Sequence, residues 1–96
     1  MKHYFLAFDL GATSGRSVLG VLENDRIEIK ELTRFPNSIV ELHGKYYWNI
    51  MSLYQSLKEG MMACRKEGVV PESIGIDTWG VDVVPVADDG SLLSMP

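Results

Sequence analysis

The sequence contains few of the cysteine and histidine residues that build zinc centres. Among its 96 residues it has one cysteine, Cys64, and two histidines, His3 and His43. These residues lie far apart along the chain, which excludes the short ligand spacings of a zinc site. We interpret Cys64 as a thiol of the hydrophobic core, with a role as a nucleophile as the alternative.

Long apolar segments and runs of basic residues are also absent. No run approaches the roughly 20 apolar residues that span a membrane, and the N-terminus lacks a signal-peptide pattern, so we expect a cytoplasmic protein without membrane contact. The net charge of -4 and the scatter of lysine and arginine argue against nucleic acid as a partner. A single bound nucleotide remains compatible with this charge. The length allows one small domain.

The first 22 residues predict two strands joined by a tight turn. Residues 4–8 and 17–22 are mainly apolar, and residues 9–16 between them read DLGATSGR. Glycine permits backbone conformations that are closed to other residues and lets a ligand approach the main chain, which applies here to Gly11 and Gly15. An ordinary hairpin, in which glycine and serine only make the turn, is the alternative to a binding site.

The same turn has the chemistry of a phosphate site. Its backbone N–H groups, together with the hydroxyls of Thr13 and Ser14, can hold phosphate oxygens. Asp9, at the end of the first strand, can hold a hydrated Mg²⁺. Arg16 can donate charge-assisted hydrogen bonds to phosphate or brace the hairpin. We therefore expect the chemistry of the protein at this turn.

A third strand is predicted over residues 27–32, where apolar and charged residues are interleaved as in a strand with one face in water. Pro36 ends it, because proline cannot donate to the ladder. Residues 37–48 are expected to form a loop, within which Tyr46 and Tyr47 can make a short strand. The first three strands then form an antiparallel meander.

A helix is predicted over residues 50–67. Asn49 suits its N-cap, and Gly68 suits its C′ position. Gly60 weakens the helix by up to about 1 kcal/mol relative to alanine, which indicates close packing against the sheet. The apolar stripe of the helix consists of Ile50, Leu53, Tyr54, Leu57, Met61 and Cys64.

The helix leads to a strand at residues 74–78, which we expect to pair in parallel with the first strand through a right-handed crossover. Asp9 should then lie near Asp77 and residues 79–82, because parallel strands end at the same edge of a sheet. Residues 83–86 and 91–93 predict two further short strands around a turn.

The first strand is apolar on both sides while the chain offers one helix, so one sheet face lacks a cover. We infer a piece of a larger protein, or a chain that self-associates.

Three antiparallel strands, a helix and a parallel fourth strand, with Asp-x-Gly in the first turn, resemble the ribonuclease-H-like fold of actin, the heat-shock chaperone ATPases and sugar kinases. Residues 9–16 resemble the first phosphate motif of the FGGY family of carbohydrate kinases. Residues 74–82, IGIDTWGVD, resemble the family members that act on L-rhamnulose, as do residues 34–37, Gly44 and Trp48. The likeness implies an α/β fold of the actin/hexokinase type with a mixed sheet and one main helix. Residues 1–96 are then the opening portion of the N-terminal kinase domain, with the second domain absent.

The resemblance implies phosphoryl transfer from ATP, with Mg²⁺, to the 1-hydroxyl of L-rhamnulose. Asp9 is then expected to orient the water shell of the metal, and Gly80 to contact the sugar. Trp79 and Asp82 are further sugar candidates, with packing in the core as the alternative for Trp79. Asp77 is expected to brace the hairpin turn rather than act as a base. The ATP-contacting residues are expected to be Gly11, Ala12, Thr13, Ser14, Gly15 and Arg16.

Parts of the family pattern have no counterpart among these residues. The catalytic aspartate, the second phosphate segment and the adenosine pocket are expected downstream, so the chain looks like the opening segment of a kinase.

A family member acting on L-fuculose, xylulose or glycerol is one alternative. A second is a nuclease or resolvase with metals on Asp9 and Asp77. That class needs an acid on the inner helix face, whereas Glu59 and Glu67 lie off the apolar stripe. A third is a non-enzymatic nucleotide-binding or assembly module, against which residues 79–82 count.

Overall fold

A computed structural model describes all 96 residues as a four-stranded sheet, a separate two-stranded hairpin and one helix. The elements in chain order are β1 His3–Leu10, β2 Ser14–Glu23, β3 Arg26–Pro36, β4 Ile39–Leu42, β5 Lys45–Trp48, α1 Ile50–Lys66 and β6 Ser73–Asp77.

The four-stranded sheet has the order β3-β2-β1-β6. Strands β1, β2 and β3 pair antiparallel, whereas β6 pairs with β1 in parallel. The predicted meander and the predicted parallel pairing are therefore confirmed. The chain is a small α/β domain with a mixed sheet and one helix. Asp9 lies opposite Asp77 in this register, so β1 and β6 end at the same edge.

Helix α1 begins at the predicted residue and ends at Lys66, one residue before the predicted end. The side chain of Asn49 accepts a hydrogen bond from the backbone N–H of Ser52 at 3.2 Å, as an N-cap does. Gly68 has a φ of +80°, a left-handed conformation that suits glycine after a helix. The side chains of Arg65 and Lys66 lie in the last turn and complement the helix dipole.

The buried face of α1 differs from the predicted stripe. Tyr54 and Met61 are exposed by 61% and 42%, whereas Ser56 and Gly60 are buried. The reason is close approach: a Cβ on Gly60 would lie 2.5 Å from Cε1 of Phe8. Small residues therefore form the contact with the sheet, and the larger apolar residues flank it. The buried apolar residues of the chain are Leu6, Phe8, Leu10, Leu19, Leu53 and Cys64.

Cys64 is a core thiol, as predicted. Its side chain is buried in the cluster formed with β1 and β2. Burial, with a further contribution from the charge of Glu67, raises the pKa of this thiol. The thiolate that nucleophilic chemistry requires is therefore disfavoured at neutral pH.

One sheet face has no cover, in agreement with the sequence. Ala7 is exposed on this face, and Ile27 and Ile29 of β3 are exposed by 69% and 73%. On the helix side, α1 packs over β1, β2 and β3 but leaves Ile74 and Ile76 of β6 exposed. Apolar surface of this extent is typical of a docking face.

The short strand predicted at Tyr46 and Tyr47 is confirmed, since both residues lie in β5. The loop predicted for the rest of residues 37–48 is wrong, because β4 and β5 form a regular hairpin. His43 and Gly44 connect the strands with φ values of +53° and +77°, as in a two-residue type I′ turn. Glycine accepts this conformation readily, and histidine is one of the residues enriched in it.

The two short strands predicted over residues 83–93 are also not formed. A single bridge joins Val86 to Leu92. Pro85 cannot donate a ladder hydrogen bond, and its carbonyl accepts one from Leu93 at 3.0 Å.

No helix of the structure has both the length and the apolar character needed to cross a membrane.

Candidate functional site

The turn between β1 and β2 encloses a small polar depression of about 260 Å³. Most of the predicted ATP-contacting residues line it together with Asp9, whereas Ala12 does not. No hydrophobic side chain takes part. The lining residues are Asp9, Gly11, Thr13, Ser14, Gly15, Arg16 and Arg34.

Unpaired hydrogen-bond donors are available in this turn. The backbone N–H groups of Ala12 and Thr13 donate to no acceptor in the chain. The N–H of Gly11 donates to the carbonyl of Ser14 at 2.9 Å and is therefore used within the turn. Free amides and a hydroxyl at such a turn form the concave donor set that binds anions.

The glycines of the turn act through size and not through unusual dihedral angles. Neither Gly11 nor Gly15 has a positive φ, so the expected special backbone conformations are not found. A Cβ on Gly11 would lie 2.9 Å from the carbonyl oxygen of Ser14, and one on Gly15 would overlap the ring of Phe35. Side chains at these positions would disturb the turn directly.

Asn37 stabilises the turn through two hydrogen bonds, a role that was not predicted from the sequence. Its side-chain amide donates to the carbonyl of Gly11 at 2.9 Å, and its backbone N–H donates to the carbonyl of Thr13 at 3.0 Å. Asn37 is also buried, so these bonds are protected from water. The position of Asn37 after a strand-ending proline was visible in the sequence, but its partner was not.

The charged side chains at the turn are paired but remain accessible. Arg16 donates to Asp9 through Nη2 at 2.9 Å and through Nε at 3.1 Å, across the β1–β2 pair. Both side chains are about half exposed, and such pairs contribute at most about 1 kcal/mol. A phosphate or a metal can therefore replace either partner. Arg34, another missed residue, lies opposite Arg16 and donates to Glu31 at 2.7 Å.

A second, mostly apolar pocket of about 300 Å³ lies on the other side of the end of β1. Leu10 lines it, whereas the neighbouring Asp9 lines the polar depression, because successive strand residues point to opposite faces. Trp79 and Asp82, two predicted sugar residues, line the apolar pocket. Gly80 does not line it, and a Cβ on Gly80 would meet open space.

One carboxylate oxygen joins both tryptophans of the chain. Oδ2 of Asp82 accepts from the indole Nε1 of Trp79 at 2.8 Å and from that of Trp48 at 2.9 Å. The two ring centroids are 4.5 Å apart, with the planes tilted by 48°. Trp79 also packs against the hydrophobic core, so its core role and its pocket role coexist. The bond from Trp48 was not predicted.

The acidic residues do not form the nuclease constellation. Asp77 lies beside Asp9, is exposed and takes part in none of the side-chain hydrogen bonds, so the predicted bracing role is wrong. Glu59 is exposed, and Glu67 accepts from Lys30 at 2.6 Å. No three metal-ligating side chains converge anywhere in the chain.

Comparison with known proteins identifies the relatives of this chain. It is 46% identical over all 96 residues to a rhamnulokinase of Bacteroides thetaiotaomicron and 40% identical over the same length to one of Ligilactobacillus salivarius. A rhamnulokinase of Halalkalibacterium halodurans is 44% identical over 82 residues. The chain is similar to rhamnulokinases throughout.

This result confirms the resemblance proposed from residues 9–16 and 74–82. The chain spans about a fifth of the length of these relatives: 20% of the Bacteroides and Ligilactobacillus proteins and 17% of the Halalkalibacterium protein. No protein-family profile matches the chain.

Proposed function

We propose that residues 1–96 are the opening portion of the N-terminal domain of a sugar kinase with a ribonuclease-H-like fold. The complete enzyme transfers the γ-phosphoryl group of ATP to the 1-hydroxyl of L-rhamnulose in rhamnose metabolism. The observation that carries this proposal is the juxtaposition of two dissimilar pockets at the end of β1, in a chain similar to rhamnulokinases throughout.

The polar depression is the part of the ATP site that this chain supplies. The free amides of Ala12 and Thr13 and the hydroxyl of Ser14 bind phosphate oxygens, and Gly11 and Gly15 keep the turn narrow. Arg16 supplies positive charge next to these donors. Phosphoryl transfer depends on such positioning and charge stabilisation more than on covalent chemistry.

Magnesium fits the donor set at the end of β1. Asp9 is an exposed carboxylate beside the phosphate turn, and Mg²⁺ is usually bound by one or two carboxylates, waters and substrate phosphates. The ion would neutralise charge on the phosphates. Asp9 would hold its water shell, with Asp77 as the neighbouring carboxylate.

The sugar site is formed by residues 79–82. Gly80 leaves open space for a sugar, and the indole of Trp79 offers a face to its C–H groups. Asp82 has one oxygen, Oδ1, that accepts no hydrogen bond within the chain and can accept one from a sugar hydroxyl.

The substrate assignment is tested with the full-length protein and four sugars. We expect ADP release with L-rhamnulose to exceed that with L-fuculose, D-xylulose and glycerol, measured as kcat/KM in a coupled assay. A preference for one of the other three would reject L-rhamnulose and retain the kinase class. The absence of turnover with any sugar would reject the kinase assignment.

A further inference from the structure

We infer that Trp48 is a positioning residue for the sugar-contacting segment, acting through a clasp made by Trp48, Trp79 and the shared Oδ2 of Asp82. This inference deepens the proposed function and rests on it. It concerns Trp48, which lies outside that segment, at the end of the β4–β5 hairpin.

The loop that carries Gly80 is closed by a hydrogen bond and contains a strained residue. The bond from Trp79 to Asp82 spans three residues and closes a loop around Gly80 and Val81. Val81 has a φ of +68° and a fully exposed side chain. This left-handed conformation is unfavourable for a β-branched residue and persists only where surrounding contacts impose it.

The contacts that impose this conformation come from the residues on either side of Val81. Val81 itself packs against nothing, so the constraint must come from its flanking residues. Trp79 packs on the core, whereas Asp82 is exposed and is held by the two indole N–H donors. Hydrogen bonds to a charged acceptor are about twice as strong as neutral ones.

Trp48 is itself held by contacts of its backbone and of its ring. Its backbone N–H donates to the carbonyl of Pro96 at 2.9 Å, and its ring packs beside Trp79. The residue is therefore fixed at both backbone and side chain. Trp48 thus couples the separate β4–β5 hairpin to the loop that carries Gly80. The role of Oδ2 is structural, which leaves Oδ1 of Asp82 without a hydrogen-bond partner in the chain.

The kinetic test compares Trp48→Phe with Asp82→Leu in the full-length protein, using whichever of the four sugars is turned over best. Trp48→Phe keeps an aromatic ring but removes the N–H donor. We expect Trp48→Phe to raise the KM for the sugar by about tenfold, since one hydrogen bond to a charged group is lost. Asp82→Leu should raise it at least as much, because it removes both indole bonds and the free oxygen Oδ1. The KM for ATP should stay within about twofold. Tyr46→Phe, in the same hairpin but exposed by 73%, is the matched control and should change neither constant.

Non-additivity distinguishes positioning from direct contact. Because both changes open one clasp, the double variant should raise the KM for the sugar no more than the larger single effect. Asp82→Asn, which keeps an oxygen acceptor, should recover most of the loss. A Trp48→Phe enzyme with an unchanged KM for the sugar would overturn the inference while leaving the kinase assignment intact. So would additive effects in the double variant.

Circular dichroism of the full-length protein tests the clasp without any substrate. In the full-length protein, the part of the near-ultraviolet circular dichroism that Trp48→Phe removes from the tryptophan bands reports this cluster. We expect Asp82→Leu to reduce that signal and Tyr46→Phe to leave it unchanged. An unaltered signal in Asp82→Leu would contradict the clasp, even in an enzyme that phosphorylates L-rhamnulose. A full-length protein that turns over no sugar would reject the proposed function and the positioning role together.

Discussion

Gly60 shows how the absence of a side chain determines the distance between α1 and the sheet. Its position is buried, and Phe8 and Ser17 occupy the space that a Cβ would need. Helix propensity alone favours alanine over glycine by up to about 1 kcal/mol. Here the steric effect dominates, because overpacking a well-packed contact costs about 1–3 kcal/mol.

We therefore expect Gly60→Ala to lower the free energy of unfolding by about 1–2 kcal/mol, against its helix propensity. Urea unfolding followed by far-ultraviolet circular dichroism measures this change. Glu59→Ala, at the neighbouring exposed position, is the control and should alter stability by less than about 0.5 kcal/mol. A stabilised Gly60→Ala variant would show that the helix can move away from Phe8 without loss.

Local residue patterns predicted individual site residues better than their partners. The turn of residues 9–16 was evident from its glycines and hydroxyls, and it does form one depression. The hydrogen bonds of Asn37 and Trp48 were not predicted, because they join residues 26 and 34 positions apart and no local pattern encodes such a distance. Asn37 and Trp48 come close to their hydrogen-bond partners only when the strands and loops are assembled.

At the scale of elements, α1 depends on its N-cap because its first turn contains no acidic residue. Asn49 supplies the one side-chain acceptor there. Replacing an Asn N-cap with alanine typically costs about 1 kcal/mol. Aspartate at the same position retains the acceptor and adds a negative charge near the positive end of the helix dipole.

We expect Asn49→Ala to reduce stability by about 1 kcal/mol and Asn49→Asp to keep or slightly raise it. Thermal unfolding at low and at high salt measures both variants. Salt should diminish only the advantage of Asn49→Asp, since the dipole interaction is screened. If Asn49→Ala were as stable as the unchanged protein, the side chain of Asn49 would stabilise the start of the helix no more than water does.

Elements with strong periodicity or caps were predicted well, and those defined by turn chemistry were not. Strand β1, strand β6 and helix α1 lie close to their predicted positions. The β4–β5 hairpin was missed because His43-Gly44 is an uncommon type I′ pair. Residues 83–86 are apolar like a short strand, but Pro85 cannot donate to a ladder and a single bridge joins Val86 to Leu92.

At the scale of the whole molecule, apolar residues remain exposed on both sides of the sheet. Ile27 and Ile29 lie on the uncovered face, and Ile74 and Ile76 lie on the edge strand that α1 does not reach. Surfaces of this kind promote association in water. A chain that spans a fifth of the length of its relatives also supplies only part of the proposed ATP and sugar sites.

We therefore expect the isolated 96-residue chain to self-associate and to show no kinase activity. Sedimentation velocity over a concentration series should show mass above the 10.7 kDa of the monomer. A coupled ADP-release assay with L-rhamnulose should give no signal above background, since phosphoryl transfer requires all groups to be held together. A monodisperse monomer that phosphorylates the sugar would contradict this prediction.

The central claim is that this chain supplies separate ATP and sugar contacts at the end of β1. It is tested most directly by steady-state kinetics of Gly11→Val and Gly80→Val in the full-length protein, with Gly20→Ala as the control glycine. A Cβ at Gly20 makes only ordinary contacts, the nearest at 3.8 Å. We expect Gly11→Val to raise the KM for ATP at least about tenfold and Gly80→Val to raise the KM for L-rhamnulose by a similar factor, each leaving the other constant within about twofold. Two folded variants that leave both constants unchanged, or that change the same one, would contradict the account.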